Sequence, residues 1–131
     1  MTSAWKQKAS SKPSSVATIG IVAIGRNEGS RLEPCLKSLL NQSSQIVYAD
    51  SASSDGSVAV ARGLGVEIVE LPEDALLSAA AGRAAGYQHL RSKYPDVELV
   101  QFVDGDCLLD PEWLGSAQSF LGMRPKAAVV C

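Results

Sequence analysis

Two carboxylates flank one glycine directly after an apolar run, in Val100-Gln101-Phe102-Val103-Asp104-Gly105-Asp106. Like charges held this close are costly unless a cation sits between or beside them. Carboxylate oxygens are natural ligands of Mg²⁺ or Mn²⁺, and such ions commonly bridge to a substrate phosphate. The same tripeptide is also built from turn-forming residues, so metal binding and a plain turn both stay open at this point. An EF-hand is excluded, because Leu109 stands at the sixth loop position and Gly115 at the last.

Three further groups have the chemistry of a polar-ligand site. Asp50 ends the apolar run Gln45–Asp50, and a carboxylate there needs hydrogen-bond partners. It opens Asp50-Ser51-Ala52-Ser53-Ser54-Asp55-Gly56-Ser57, in which hydroxyls and helix N–H groups can hold a polar ligand, or Asp55 can cap a helix. Gly25-Arg26-Asn27-Glu28-Gly29 follows the first apolar run, and its glycines allow close approach of backbone to ligand. Arg83 lies among small residues, placed either to reach a phosphate or to stay exposed on a helix. Several chemistries are excluded. The chain has neither GxGxxG nor GxxxxGK[ST], no GxSxG, and only one histidine, His89, which is read as a surface helix residue.

Elements of two alternating kinds must position these groups. Ala17–Ile24, Gln45–Asp50, Val66–Leu71, Leu99–Val103 and Ala127–Val130 read as buried strands. Ser30 and Glu33 form a capping box before a stripe of Leu32, Leu36, Leu39 and Leu40. Asp55 caps a second helix to about Arg62, ended by Gly63 and Gly65. A third helix runs from about Asp74 to Ser92, with Ala80, Ala81, Ala84 and Ala85 allowing it to lie close on a sheet. Asp110-Pro111 opens a fourth through Leu121, with Trp113 and Leu114 in the core. Alternating strands and helices predict an α/β, Rossmann-like, mostly parallel sheet with helices on both faces and ligands at the carboxyl ends of the strands.

The chain of 131 residues is one domain in size, with 46% hydrophobic and 20% charged residues, as in globular proteins. Residues 1–15 read as a disordered tail without a signal-peptide core, and residues 16–131 as the domain. A net charge of −2 argues against nucleic acid as a partner. No apolar run approaches the roughly 20 residues of a membrane span. Three cysteines without a CxxC pair suggest a reducing, cytoplasmic setting.

In order along the chain, these segments resemble the first half of a family 2 glycosyltransferase of the GT-A fold. Ile19–Ile24 with Asn27-Glu28 resembles that family's opening strand and turn, and Leu32–Leu40 its first helix. Asp50–Ser57 resembles its Asp-rich segment after the second strand, and Arg83 with Gly86 its Arg-Asn-x-Gly helix. Phe102–Asp106 and Leu109-Asp110-Pro111-Glu112-Trp113-Leu114 resemble its DxD strand end and Pro-x-Trp-Leu helix. The resemblance implies a nucleotide-diphosphate sugar donor, UDP- or GDP-linked, an acceptor it does not identify, and inverting transfer assisted by a divalent metal, Mn²⁺ or Mg²⁺. It places Gly25, Glu28, Asp50 and Ser51 at base and ribose, and Arg83 at base or diphosphate. Asp104 falls near ribose and metal, and Asp106 is the principal metal ligand. This sequence departs from the pattern at Gly25-Arg26 for Thr-Tyr or Ser-Tyr, Ser51 for Asp, Ala52 for Gly, Ala84 for Asn and Cys107 for a third acid.

The family's catalytic base is expected beyond Cys131, so the chain reads as a truncated, donor-binding half with an exposed sheet edge prone to self-association. The alternatives are a non-catalytic nucleotide-sugar-binding module, a truncated inactive product, or a receiver-like domain with Asp104 as phosphoacceptor. The last lacks an acid pair after the first strand, where only Glu28 stands.

Overall fold

A computed structural model describes residues 17–75 and 77–131. The expected tail therefore lies outside the described residues. The strands are β1 (Ile19–Gly25), β2 (Ile46–Ser51), β3 (Glu67–Leu71) and β4 (Leu99–Asp104). The helices are α1 (Leu32–Leu40), preceded by a 3-10 turn at Gly29–Arg31, α2 (Ser57–Gly63), α3 (Ala79–Lys93) and α4 (Trp113–Met123). All strand pairs are parallel, in the order β3-β2-β1-β4.

Strand β1 shows why the sheet is covered on both sides. Its side chains alternate faces with period two. Ile21 and Ala23 join Leu32, Cys35, Leu36 and Leu39 of α1, Ala61 of α2 and Leu114 of α4 in one buried cluster. Val22 and Ile24 face the other way, with Val47, Ala49 and Leu90 of α3. The continuous apolar strands are thus the signature of a doubly covered parallel sheet.

Several local expectations are corrected. The capping box at Ser30 and Glu33 does not form, because Ser30 lies inside the 3-10 turn and the α1 N-cap, Arg31, makes no side-chain cap bond. The Gly29 N–H instead donates to Asp55 Oδ2 at 2.9 Å, a partner 26 residues away. The α1 stripe holds Cys35 in place of Leu40, which is 38% exposed. Helix α3 starts at Ala79 and not near Asp74. Ala75 N–H closes a turn onto the Pro72 carbonyl, and Ser78 Oγ caps the helix by accepting from Ala81 N–H at 3.0 Å. Helix α4 starts later than Pro111, since Asp110 Oδ1 accepts from Glu112 N–H in a local turn before it. Ala127–Val130 forms no strand: Ala127 N–H closes a turn onto the Arg124 carbonyl, and the segment has no ladder partner among the described residues. A short apolar run carries a preference for extended backbone but not the neighbour that would pair it.

Of the four expected alanines of α3, Ala81 and Ala85 pack against the sheet, but the deepest contacts of the helix are made elsewhere. Gly82, Gly86 and Leu90 are buried, whereas Ala80 and Ala84 are exposed. A Cβ added at Gly86 would lie 2.4 Å from Val22 Cγ1, so only glycine lets the helix come this close to β1.

Candidate functional site

Strand register brings the expected chemistry to one edge of the sheet. Gly25 is level with Asp50 across β1 and β2, and Ile24 is level with Asp104 across β1 and β4. The carboxyl ends of three strands therefore open on the same side, where α/β sheets bind ligands. A cavity of about 280 Å³ lies there, lined by Gly25, Arg26, Glu28, Ser51, Ser78, Arg83, Asp104 and Asp106, with Ile24, Leu77 and Ala79. A larger hollow of about 750 Å³ lies between α4 and the start of β4. Its lining of Ala17, Leu99, Gly115, Gln118, Ser119, Leu121 and Gly122 offers one charged group, Glu98, so the smaller cavity is the chemical candidate.

Gly105 shapes the Asp104–Asp106 turn. Its N–H donates to the Ile24 carbonyl at 2.7 Å. A Cβ there would meet Ile24 O at 3.0 Å and Glu28 Cγ at 3.1 Å. The glycine thus keeps both aspartates against the end of β1. Arg83 Nη2 lies 3.2 Å from Asp104 Oδ1, with side chains 42% and 57% exposed. A pair this exposed is worth about 0–1 kcal/mol and opens at little cost to an incoming anion. Arg26 is exposed and has no hydrogen bond or ion pair among the described residues. Glu28 is more enclosed and lies 3.6 Å from Arg31 Nη2.

Asp50 behaves differently from the other expected site residues. It is 1% exposed and does not line the cavity. Oδ1 accepts from Tyr48 Oη at 2.8 Å and Ser53 Oγ at 2.7 Å, and Oδ2 accepts from Ser53 N–H at 2.8 Å. Burial, then the Asp50 bond, pushes the Tyr48 hydroxyl far above its ordinary pKa. Asp55 Oδ1 accepts from Ser57 Oγ at 2.5 Å and Ser57 N–H at 3.0 Å. These bonds, the Ser57 hydroxyl foremost, hold its carboxyl below the ordinary value.

Cys107 is exposed beside the aspartates, and its Sγ donates to Asp106 Oδ1 at 3.4 Å. That bond raises its thiol pKa. Cys35, behind the turn, donates to the Asp104 carbonyl, and burial pushes its thiol up to about 11. Neither environment is that of an activated nucleophile. Among the described residues no three His, Cys, Asp or Glu side chains converge into a closed metal cage. The donor set of Asp104 and Asp106 in an open cleft suits an ion that takes its remaining ligands from phosphate and water.

Of the expected residues, Gly25, Glu28, Ser51, Arg83, Asp104 and Asp106 meet in one cavity, and Asp50 lies behind it. The role of Ser78 was missed, although a serine ahead of an alanine-rich helix is a recognisable N-cap. Arg26, noted only as a departure, lines the cavity. His89 is half-buried, its Nε2 2.9 Å from Oε1 of Glu67, the first residue of β3, and neither lines the cavity.

Residues 21–131 match the family described as Glycosyl transferase family 2. The chain belongs to that family. No curated protein matches it by sequence. A cytidylyltransferase from Leptospira borgpetersenii serovar Hardjo-bovis shares the fold with a TM-score of 0.60 at 14% identity, over 84% of this chain and 51% of that one. A glucosyl-3-phosphoglycerate synthase from Mycobacterium tuberculosis, solved in complex with uridine diphosphate, gives 0.59 at 20% identity, over 86% and 41%. This family 2 chain thus spans about half or less of the length of these two structures. The expected GT-A, Rossmann-like fold is what is found. No described helix is long and apolar enough to cross a membrane.

Proposed function

We propose that this chain supplies the donor-binding cleft of a glycosyltransferase using a nucleotide-diphosphate sugar, UDP- or GDP-linked, with transfer to an acceptor and inversion at the anomeric carbon. The observation that carries the reading is the meeting of Arg26, Glu28, Ser51, Arg83, Asp104 and Asp106 in one cavity at the strand ends of a family 2 chain. Arg83 and Arg26 would bind the diphosphate oxygens. Gly25, Glu28 and Ser51 would border base and ribose. Asp106, with Asp104, would hold Mn²⁺ or Mg²⁺, and Gly105 would keep the two carboxylates adjacent. A divalent ion bound there would neutralise charge on the departing nucleoside diphosphate. Arg83 would add to that neutralisation once it exchanges Asp104 for phosphate.

Calorimetric titration with UDP- and GDP-sugars, with and without Mn²⁺, tests the reading. Binding should depend on the metal, and Asp106→Ala should weaken it at least about tenfold, the scale of one lost charged contact. Metal-dependent binding left intact in D106A would refute the metal assignment, and absence of nucleotide binding in the parent chain would refute the donor cleft.

A further inference from the structure

The loops after β1 and β2 are joined by hydrogen bonds of Asn27 to Ser53 and Ser54 and of Gly29 to Asp55, and Asp50 anchors the Ser53 part of that set. Its carboxylate accepts three hydrogen bonds, two of them from Ser53. Ser53 Oγ in turn accepts from Asn27 N–H at 2.9 Å. Asn27 returns the contact, its Oδ1 accepting from Ser54 N–H at 2.8 Å. Each loop also carries a non-glycine residue in the left-handed region, Asn27 at φ 52° and Ala52 at φ 57°. L-residues persist there when their surroundings over-determine them, and the Asp50–Ser53–Asn27 chain is such a surrounding. Asn27 lies between Arg26 and Glu28, both of which line the cavity, and Ser51 borders it just before Ala52.

From this geometry we infer that Asp50 is a positioning residue, which fixes Arg26, Glu28 and Ser51 through Ser53 and Asn27 and does not itself contact the nucleobase. The inference rests on the donor-cleft reading only for what the positioned residues bind. Three donors aimed at two oxygens require a group that only accepts, and an ionised carboxylate is one. Asparagine at position 50 would turn an NH₂ group toward a tyrosine hydroxyl or a serine N–H. The expected cost therefore falls on the loops, and through them on every nucleotide alike. A carboxylate that read the base would produce the opposite pattern, with loss confined to one base.

The experiment uses the full chain and the variants Asp50→Asn, Ser53→Ala and the double variant. UDP and GDP affinities with Mn²⁺ are measured by calorimetry, and amide exchange by NMR. In D50N and S53A the amides of Asn27 and Ser54 should exchange faster, while those of Val22 and Val47 in the core stay protected. Both nucleotides should weaken together by about tenfold, with the UDP-to-GDP ratio held within about twofold. The double variant should be no weaker than the worse single one, because both act through one chain of contacts. If D50N changes the ratio while S53A leaves binding intact, Asp50 reads the base and the inference is overturned. Unchanged exchange at Asn27 and Ser54 in D50N also overturns it. Should D50N fail to fold, S53A carries the nucleotide ratio, and its Ser54 amide, whose acceptor Asn27 Oδ1 is unaltered by the substitution, carries the exchange readout. If the parent chain binds neither nucleotide, the donor reading fails separately, and exchange at Asn27 and Ser54 alone decides whether Asp50 holds the loops.

Discussion

Alanine at Gly82 and alanine at Gly86 should move stability in opposite directions, although both sit on the buried face of α3 one turn apart. A Cβ at Gly82 would lie 3.5 Å from Ile24 Cγ2 and 3.6 Å from Ser51 Oγ, which is ordinary contact. That substitution should gain up to about 1 kcal/mol from helix propensity alone. At Gly86 the new atom would stand 2.4 Å from Val22 Cγ1 and 3.4 Å from Ala49 Cβ. Carbon atoms pack at about 3.5–4.0 Å, so the helix must retreat by more than about 1 Å. Val22 cannot yield instead, because it is β-branched, wholly buried and on a strand paired on both sides. Overpacking of this kind costs about 1–3 kcal/mol. With the clash this close the upper end applies, and after the propensity gain a net loss of about 2 kcal/mol remains.

Urea unfolding followed by circular dichroism measures the contrast. With a slope of about 2 kcal/mol per molar, G82A should raise the midpoint by about 0.5 M and G86A should lower it by about 1 M. The retreat of α3 would also draw Arg83 away from Asp104, now 3.2 Å apart, so G86A should lose nucleotide affinity as well. A G86A midpoint equal to or above that of the parent chain would show that the close approach of α3 to β1 is not a constraint.

Arg26 at the cleft and Cys35 in the core behind it each give a further testable outcome. Arg26→Ala should weaken nucleotide-diphosphate binding about fivefold and nucleoside binding not at all, since an exposed cation at a phosphate contributes about 1 kcal/mol; equal loss for both in calorimetry would contradict its assignment to the diphosphate. Cys35 has a pKa raised from 9.0 to about 11, so the unfolded chain loses that proton first; the stability it holds below pH 9 should fall by roughly 2–3 kcal/mol as pH rises toward 11, and urea midpoints of the parent chain and of Cys35→Ala across that range check whether the slope belongs to this thiol.

The parts of the fold legible in the sequence were those fixed by local pattern. Ile21, Val22, Ala23 and Ile24 are all buried because both faces of β1 are covered, and an unbroken apolar run reports that directly. The ends of such runs marked the cleft, and six expected residues line it. Contacts between distant loops were not legible. Nothing in Ser30 and Glu33 tells that Asp55 will take the Gly29 N–H. Tyr48 and Asp50, two apart on one face of β2, are a pattern that could have suggested a buried pair, but the bond from Asn27 to Ser53 spans 26 residues. On α3, Ala81 and Ala85 pack on the sheet as their spacing suggests, whereas the distance between helix and sheet is set by the residues with no side chain at all. Ala127–Val130 failed for a related reason, because pairing depends on a neighbour that a run's own composition does not supply.

Charge in the cavity joins these points. Its lining holds two arginines against Glu28, Asp104 and Asp106, so carboxylates outnumber cations. Glu28 is paired with Arg31, so an anionic diphosphate entering this set would meet Asp104 and Asp106 as its repulsive neighbours, and the Arg83–Asp104 pair would have to open as it arrived. That exchange is cheap because the pair is exposed, but it leaves Asp104 as a second carboxylate without a cation partner, two residues from Asp106. On the proposed reading this coupling is the reason for a divalent ion: the contact that releases Arg83 toward phosphate also creates the carboxylate pair that a cation needs. Arginine and metal would then act in sequence on the same residue, and Asp104 would be the link between them. Asp104→Asn should accordingly weaken metal-dependent nucleotide binding while slightly strengthening metal-free binding, since it frees Arg83 and removes one negative charge together. Calorimetry in chelator and in Mn²⁺ distinguishes this from a simple ligand role, for which the metal-free affinity would stay unchanged.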